Sequence, residues 1–74
     1  MNGIPLSTFS QGEKGNIESI YGGRNVRKRL HEMGFNKGTE VRVIKNDIGP
    51  LIVSLYGSKI AIGRGMAKKI MVNP

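Results

Sequence analysis

The chain lacks cysteine and tryptophan, and it has one histidine, five acidic residues and four aromatic ones. Each scarcity removes a class of chemistry. Without Cys there are no disulfides and no thiolate metal sites, which fits a reducing compartment. The single His31 stands in a strongly basic segment, where a Ser–His–acid arrangement would need a base with a positioned orienting partner. Paired-carboxylate catalysis needs two acids in one cleft, whereas Glu13, Glu18, Glu32, Glu40 and Asp47 are scattered over turns and outward strand positions. The expectation is a protein that is not an enzyme. No apolar run approaches the roughly 20 residues of a membrane helix. Met1-Asn2-Gly3-Ile4-Pro5 lacks the basic stretch and apolar run of a signal peptide. A cytoplasmic protein, working at most at the inner face of the membrane, is expected.

What the chain does have is positive charge. Lys and Arg total 12 against five acids, a net charge of +7 on 74 residues. Such a field favours anionic partners: nucleic acid, acidic lipid or an acidic protein face. The plainer reading is that the charge keeps a small protein soluble. The length allows one domain, residues 1–74, with a core worth about 3–5 kcal/mol.

The stretch from Asn25 to Gly38 is the organising element. Val26, Leu30 and Met33 recur at i, i+4 and i+7 and share one face of a helix. Asn25 is expected to cap its start. Gly34 is expected to end it at positive φ, turning Phe35 back onto Leu30. Leu30, Met33, Gly34, Phe35 and Gly38 are thus structural candidates. The charges run against the helix dipole in this reading: Arg27, Lys28 and Arg29 crowd the first turn and Glu32 falls in the last. A local rule broken without compensation points to function, although packing of the apolar face can also outweigh the cost.

Strands are expected on both sides. Leu6 and Phe9 point inward around a one-turn segment in which Ser7 can cap. Ile17 and Ile20 mark a first strand, and their spacing of three implies a bulge. Gly22-Gly23 swings the chain into the helix. Thr39–Lys45 alternates, with Thr39, Val41 and Val43 inward. Asn46–Pro50 reads as a hairpin loop with Gly49 at positive φ. Leu51, Val53 and Leu55 form the inner face of the next strand, Gly57-Ser58 its two-residue turn, and Lys59–Ile62 the return. Gly63–Ala67 is a turn or short helical piece, and Ile70 and Val72 face inward on the last strand. Five short strands and one helix suggest an all-β fold, a small closed barrel with the helix between the first and second strands.

The pattern Arg29-Leu30-x-x-Met33-Gly34-Phe35-x-x-Gly38-Thr39-x-Val41 resembles the family of small ferrous iron transport A proteins of bacterial Feo systems. Leu6-Ser7, Gly12 and Gly15-x-Ile17 before it, and Ala67-x-x-Ile70-x-Val72 after it, stand in the family's order. Gly63-Arg64-Gly65-Met66 departs from the Leu-Arg-Arg type of sequence found there. The resemblance implies an SH3-like barrel, also found at the C-terminus of some metal-dependent repressors. It implies a cytoplasmic accessory protein that binds the membrane Fe(II) transporter, which carries a cytoplasmic GTPase domain. The partner-binding residues are expected to be Arg24, Arg27, Lys28, His31 and Arg64.

No tightly bound cofactor is expected. His31 and Glu32 point about 100° apart on a helix, so they do not converge on one ion. His31 is the weak metal candidate, and Fe(II) would bind weakly or be shared with a partner. Gly63-x-Gly65 with Arg64, Lys68 and Lys69 could form an anion nest, but glycines in a turn explain it as well. The alternative function is a basic nucleic-acid-binding barrel or a metal-regulator-type domain. Phe9 and Phe35 are needed in the core, which leaves Tyr21 and Tyr56 as a thin stacking platform.

Overall fold

The computed structural model describes residues 3–74; Met1 and Asn2, the start of the stretch read as carrying no signal peptide, lie outside them. In chain order the elements are β1 (Ile4–Pro5), a 3-10 turn (Leu6–Thr8), β2 (Lys14–Ile20), α1 (Arg24–Glu32), β3 (Glu40–Lys45), β4 (Leu51–Leu55), β5 (Ser58–Ile62), α2 (Arg64–Ala67) and β6 (Ile70–Asn73). All six strands join one antiparallel sheet in the order β1-β6-β2-β3-β4-β5.

Two expectations need correction. The helix follows the second strand, not the first, because Ile4 and Pro5 pair with Val72 and Met71 as a strand of their own. The hydrogen-bonded ladder also does not close: β1 and β5 are its two ends among the described residues. The 3-10 turn after β1 and α2 after β5 pack on each other instead.

Alternation builds the core. Val41 and Val43 on β3, Leu51, Val53 and Leu55 on β4, and Ile17 and Ile20 on β2 are all buried. Period-two strands with one solvated face sort side chains this way. Thr39, expected inward, stands just before β3 and is only half-buried. The three-residue step from Ile17 to Ile20 is absorbed by a register shift between Ile17 and Ser19 against β6, the expected bulge. Leu6 and Phe9 are buried as expected, but Ser7 makes no cap; the Thr8 hydroxyl donates to the Pro5 carbonyl instead. Asn46 ties the end of β3 to this turn, donating from Nδ2 to the carbonyls of Ser7 and Phe9. Gly49 takes positive φ in the β3–β4 loop.

The β4–β5 turn differs from expectation by one residue. Leu55 pairs with Ser58, so the two loop residues are Tyr56 and Gly57, at φ 52° and 79°. Two positive φ values are the mark of the primed hairpin turn that matches strand twist. Gly57-Ser58 satisfied the composition rule, but the register places Tyr56 in the left-handed position.

Candidate functional site

The helix begins earlier than its apolar stripe. Gly23 is the N-cap, extended at φ −73° and ψ 174°, and Asn25 lies inside the first turn with no capping bond. Gly22 at φ +121° makes the swing that precedes it. Val26 and Met33 pack against the core that contains Leu30, so the apolar face is as expected.

The end of α1 also follows the expected design. The Gly34 N–H donates to the His31 carbonyl and the Phe35 N–H to the Leu30 carbonyl, both at 3.0 Å. Those two bonds, with Gly34 at φ +107°, form a Schellman ending. Phe35 and Leu30 are fully buried.

The earlier start changes the charge argument. Arg24 and Arg27 occupy the first turn and no acid does, so the N-terminal mismatch stands. Arg29 is in the last turn with His31, where a cation is favourable, and only Glu32 is misplaced there. The inversion is therefore full at the start and reduced to Glu32 alone at the end.

Arg24, Arg27, Lys28 and His31 are separated by three, four and seven residues. They form one exposed stripe turned away from Val26, Leu30 and Met33. None of them is ion-paired: among the described residues the one ion pair is Lys14–Glu40. The His31 Nδ1 lies 3.1 Å from the Asn36 Oδ1, which as an acceptor requires the proton on Nδ1. Arg64 is not part of this stripe. It opens α2, half-buried, and its guanidinium donates to the Asp47 carbonyl in the β3–β4 loop. Among the described residues no three of His, Cys, Asp and Glu stand together to hold a metal ion.

A second feature was not read from the sequence. An open groove of about 590 Å³ lies on the outer side of β3 and β4, bounded by Lys37, Thr39, Glu40, Arg42, Ser54 and Tyr56. The Tyr56 hydroxyl lies 3.0 Å from the Thr39 Oγ1. Only the strand register brings these positions together.

Comparison with known proteins decides the family. The FeoA domain model matches residues 4–74. The chain belongs to the FeoA family. A Methanocaldococcus jannaschii protein named for Fe(2+) transport, as transport protein A, is 47% identical over 68 residues, 92% of this chain and 83% of that one. The crystal structure of an iron uptake regulatory FeoA superposes with a TM-score of 0.90 at 39% identity, covering 95% of each chain. Stenotrophomonas maltophilia FeoA, described as an SH3 domain protein and crystallised with zinc, gives a TM-score of 0.82 at 29% identity, covering 95% of this chain and 89% of that one. This FeoA domain is accordingly SH3-like, a six-stranded antiparallel sheet with one helix of more than a single turn. No helix among its described residues is long and apolar enough to cross a membrane.

Proposed function

We propose that the chain is a non-catalytic, cytoplasmic accessory protein of Fe(II) uptake that binds the membrane Fe(II) transporter, the partner that carries a cytoplasmic GTPase domain, through the exposed stripe of α1. The observation that carries this reading is the set Arg24, Arg27, Lys28 and His31: one face, exposed, without ion pairs, on a helix whose first turn holds no acid. Leaving cations at the positive end of a helix dipole costs stability. An anionic contact on a partner would relieve that repulsion. Arg64, held to the Asp47 carbonyl, lies outside that stripe and contributes only to the overall positive charge. An activating role in ferrous iron transport has been suggested for the Stenotrophomonas maltophilia relative, and a binding module without catalytic groups suits such a role.

The test is association with the detergent-solubilised transporter, measured by surface-immobilised kinetics for the wild type and for Arg24→Glu with Arg27→Glu. Slower association in the variant, and weakening of the wild type with salt, are expected of steering charges. Equal association rates for the two proteins would refute the α1 contact.

A further inference from the structure

Four strands each place one side chain in a line across the outer surface of the sheet. The register sets Lys14 opposite Arg42, Arg42 opposite Ser54, and Ser54 opposite Lys59. The neighbours of Arg42 and Ser54 along their own strands are buried, so this line faces outward; its three cations are exposed and Ser54 is half-buried. With strands about 4.8 Å apart, the row spans roughly 14 Å.

Like charges directly opposite one another are destabilising, and Lys14 faces Arg42. Relief within the chain is partial. Lys14 Nζ lies 3.6 Å from Glu40 Oε2, both side chains being more than half exposed, and such a pair contributes little. Arg42 spends one N–H on the Gly12 carbonyl at 3.1 Å. Lys59 has no ion pair among the described residues.

Tyr56, at the border of this row, breaks a second rule. Asn-Gly and Asp-Gly are the pairs favoured in a turn of this type, and a bulky residue at positive φ costs on the order of 1–2 kcal/mol. Burial does not offset that cost, because Tyr56 is 75% exposed. Its hydroxyl is anchored on Thr39, 3.0 Å from the Oγ1, and its ring lies over Gly34. An exposed aromatic ring is thus held in a strained turn, in one groove with Arg42 and Lys37 and with the Glu40 carboxylate that Lys14 pairs.

We propose that this outer face is a binding site for an extended acidic segment of a protein partner. Carboxylates on alternate residues of an extended chain repeat at about 6.6 Å, so a segment lying along the row meets two or three of its cations. The hydroxyls of Thr39 and Ser54 can bond its backbone, and the Tyr56 ring supplies an apolar wall. A single nucleic-acid strand fits less well, because it needs successive rings for stacking. The other exposed tyrosine, Tyr21, follows the far end of β2 from Lys14 and does not line the groove. The site needs no contact with α1, so it stands or falls apart from the transporter reading.

Fluorescence anisotropy with a labelled (Glu-Thr)₄ octapeptide, and with an eight-residue oligothymidylate as the rival probe, tests this on the whole chain. Circular dichroism verifies that each variant is folded. The peptide is expected to bind, and Arg42→Gln with Lys59→Gln to weaken it about tenfold, as loss of contacting charges does. Arg29→Gln with Lys68→Gln removes the same net charge from exposed positions outside both this row and the α1 stripe, and is expected to change affinity by less than about twofold. Tyr56→Asn, which places the favoured residue in the turn, is expected to weaken binding by at least about fivefold, as removing an aromatic anchor does. Equal losses from the two double variants would mean that only net charge matters and would overturn the site, as would full binding by Tyr56→Asn or no peptide binding at all. Tighter binding of the oligothymidylate through these same residues would overturn it in favour of nucleic acid.

Discussion

Phe35 donates its backbone N–H to the carbonyl of Leu30 across 3.0 Å, and the two side chains are fully buried in one core. That bond requires Gly34, between the end of the helix and Phe35, to hold φ at +107°. A β-branched residue tolerates this badly. Its Cβ would rest in ordinary contact with the Tyr56 ring at 3.5 Å and a Leu55 methyl at 3.6 Å, so the cost is that of the backbone angle. Gly34→Val is expected to destabilise the domain by more than about 1 kcal/mol. In a domain of this size that lowers the melting temperature by about 4–8 °C or more. An unchanged melting curve would contradict the assignment.

Gly15 and Gly65 should respond in opposite directions to the same change. A Cβ on Gly15 would stand 2.3 Å from the Asn73 carbonyl oxygen and 2.7 Å from a Val72 methyl, so β2 and β6 would have to separate. Gly15→Ala is expected to cost about 1–3 kcal/mol, the range for overpacking. Gly65 lies within α2 and a Cβ there meets nothing within 4 Å. Gly65→Ala is expected to stabilise by about 0.4–1 kcal/mol. Chemical denaturation of both variants measures the difference.

Arg24→Glu with Arg27→Glu puts acids where the first turn of α1 favours them. Both positions are exposed and unpaired, so stability is expected to hold or rise by up to about 1 kcal/mol. Clear destabilisation on thermal melting would make these residues structural and remove the reason for assigning them to a partner.

Fe(II), or Co(II) as its spectroscopic substitute, is expected to find no stoichiometric site of sub-micromolar Kd on the isolated chain. One exposed imidazole, His31, with a single amide beside it does not complete a coordination shell. Anaerobic titration checks this. A saturable one-to-one site that vanishes in His31→Ala would show that the ring recruits ligands the fold does not hold together at rest.

Much of the fold was legible because two periodicities carry it. The alternation of Val41 and Val43, and of Leu51, Val53 and Leu55, maps directly onto buried positions. The step from Ile17 to Ile20 announced its bulge, and Gly34 its helix ending. What stayed hidden lacks a local signal. Ile4-Pro5 is two residues long, and only its pairing with β6 makes it a strand. Gly23 caps α1 through backbone geometry alone, so Asn25, a good capping residue by type, drew the boundary two positions late. The stripe of α1 needed only helical spacing to be read. The row of Lys14, Arg42 and Lys59 depends on the register of three strand pairs, and the last of these, β4 with β5, hangs on Tyr56 and Gly57 as the loop residues. Tyr is so unusual in that turn that composition favoured the neighbouring pair.

The pairing of Ile4 with Val72 has a mechanical consequence. β1 and β6 are antiparallel, so the chain enters the sheet and leaves it at the same point. Cross-strand hydrogen bonds of such a pair lie perpendicular to the strands. Tension applied between the two ends therefore runs along those bonds and opens them one after another, like a zipper, instead of shearing them together. The domain yields first at β1, while β2, β3 and β4, which hold seven of the sixteen buried hydrophobic residues among those described, stay outside the line of force.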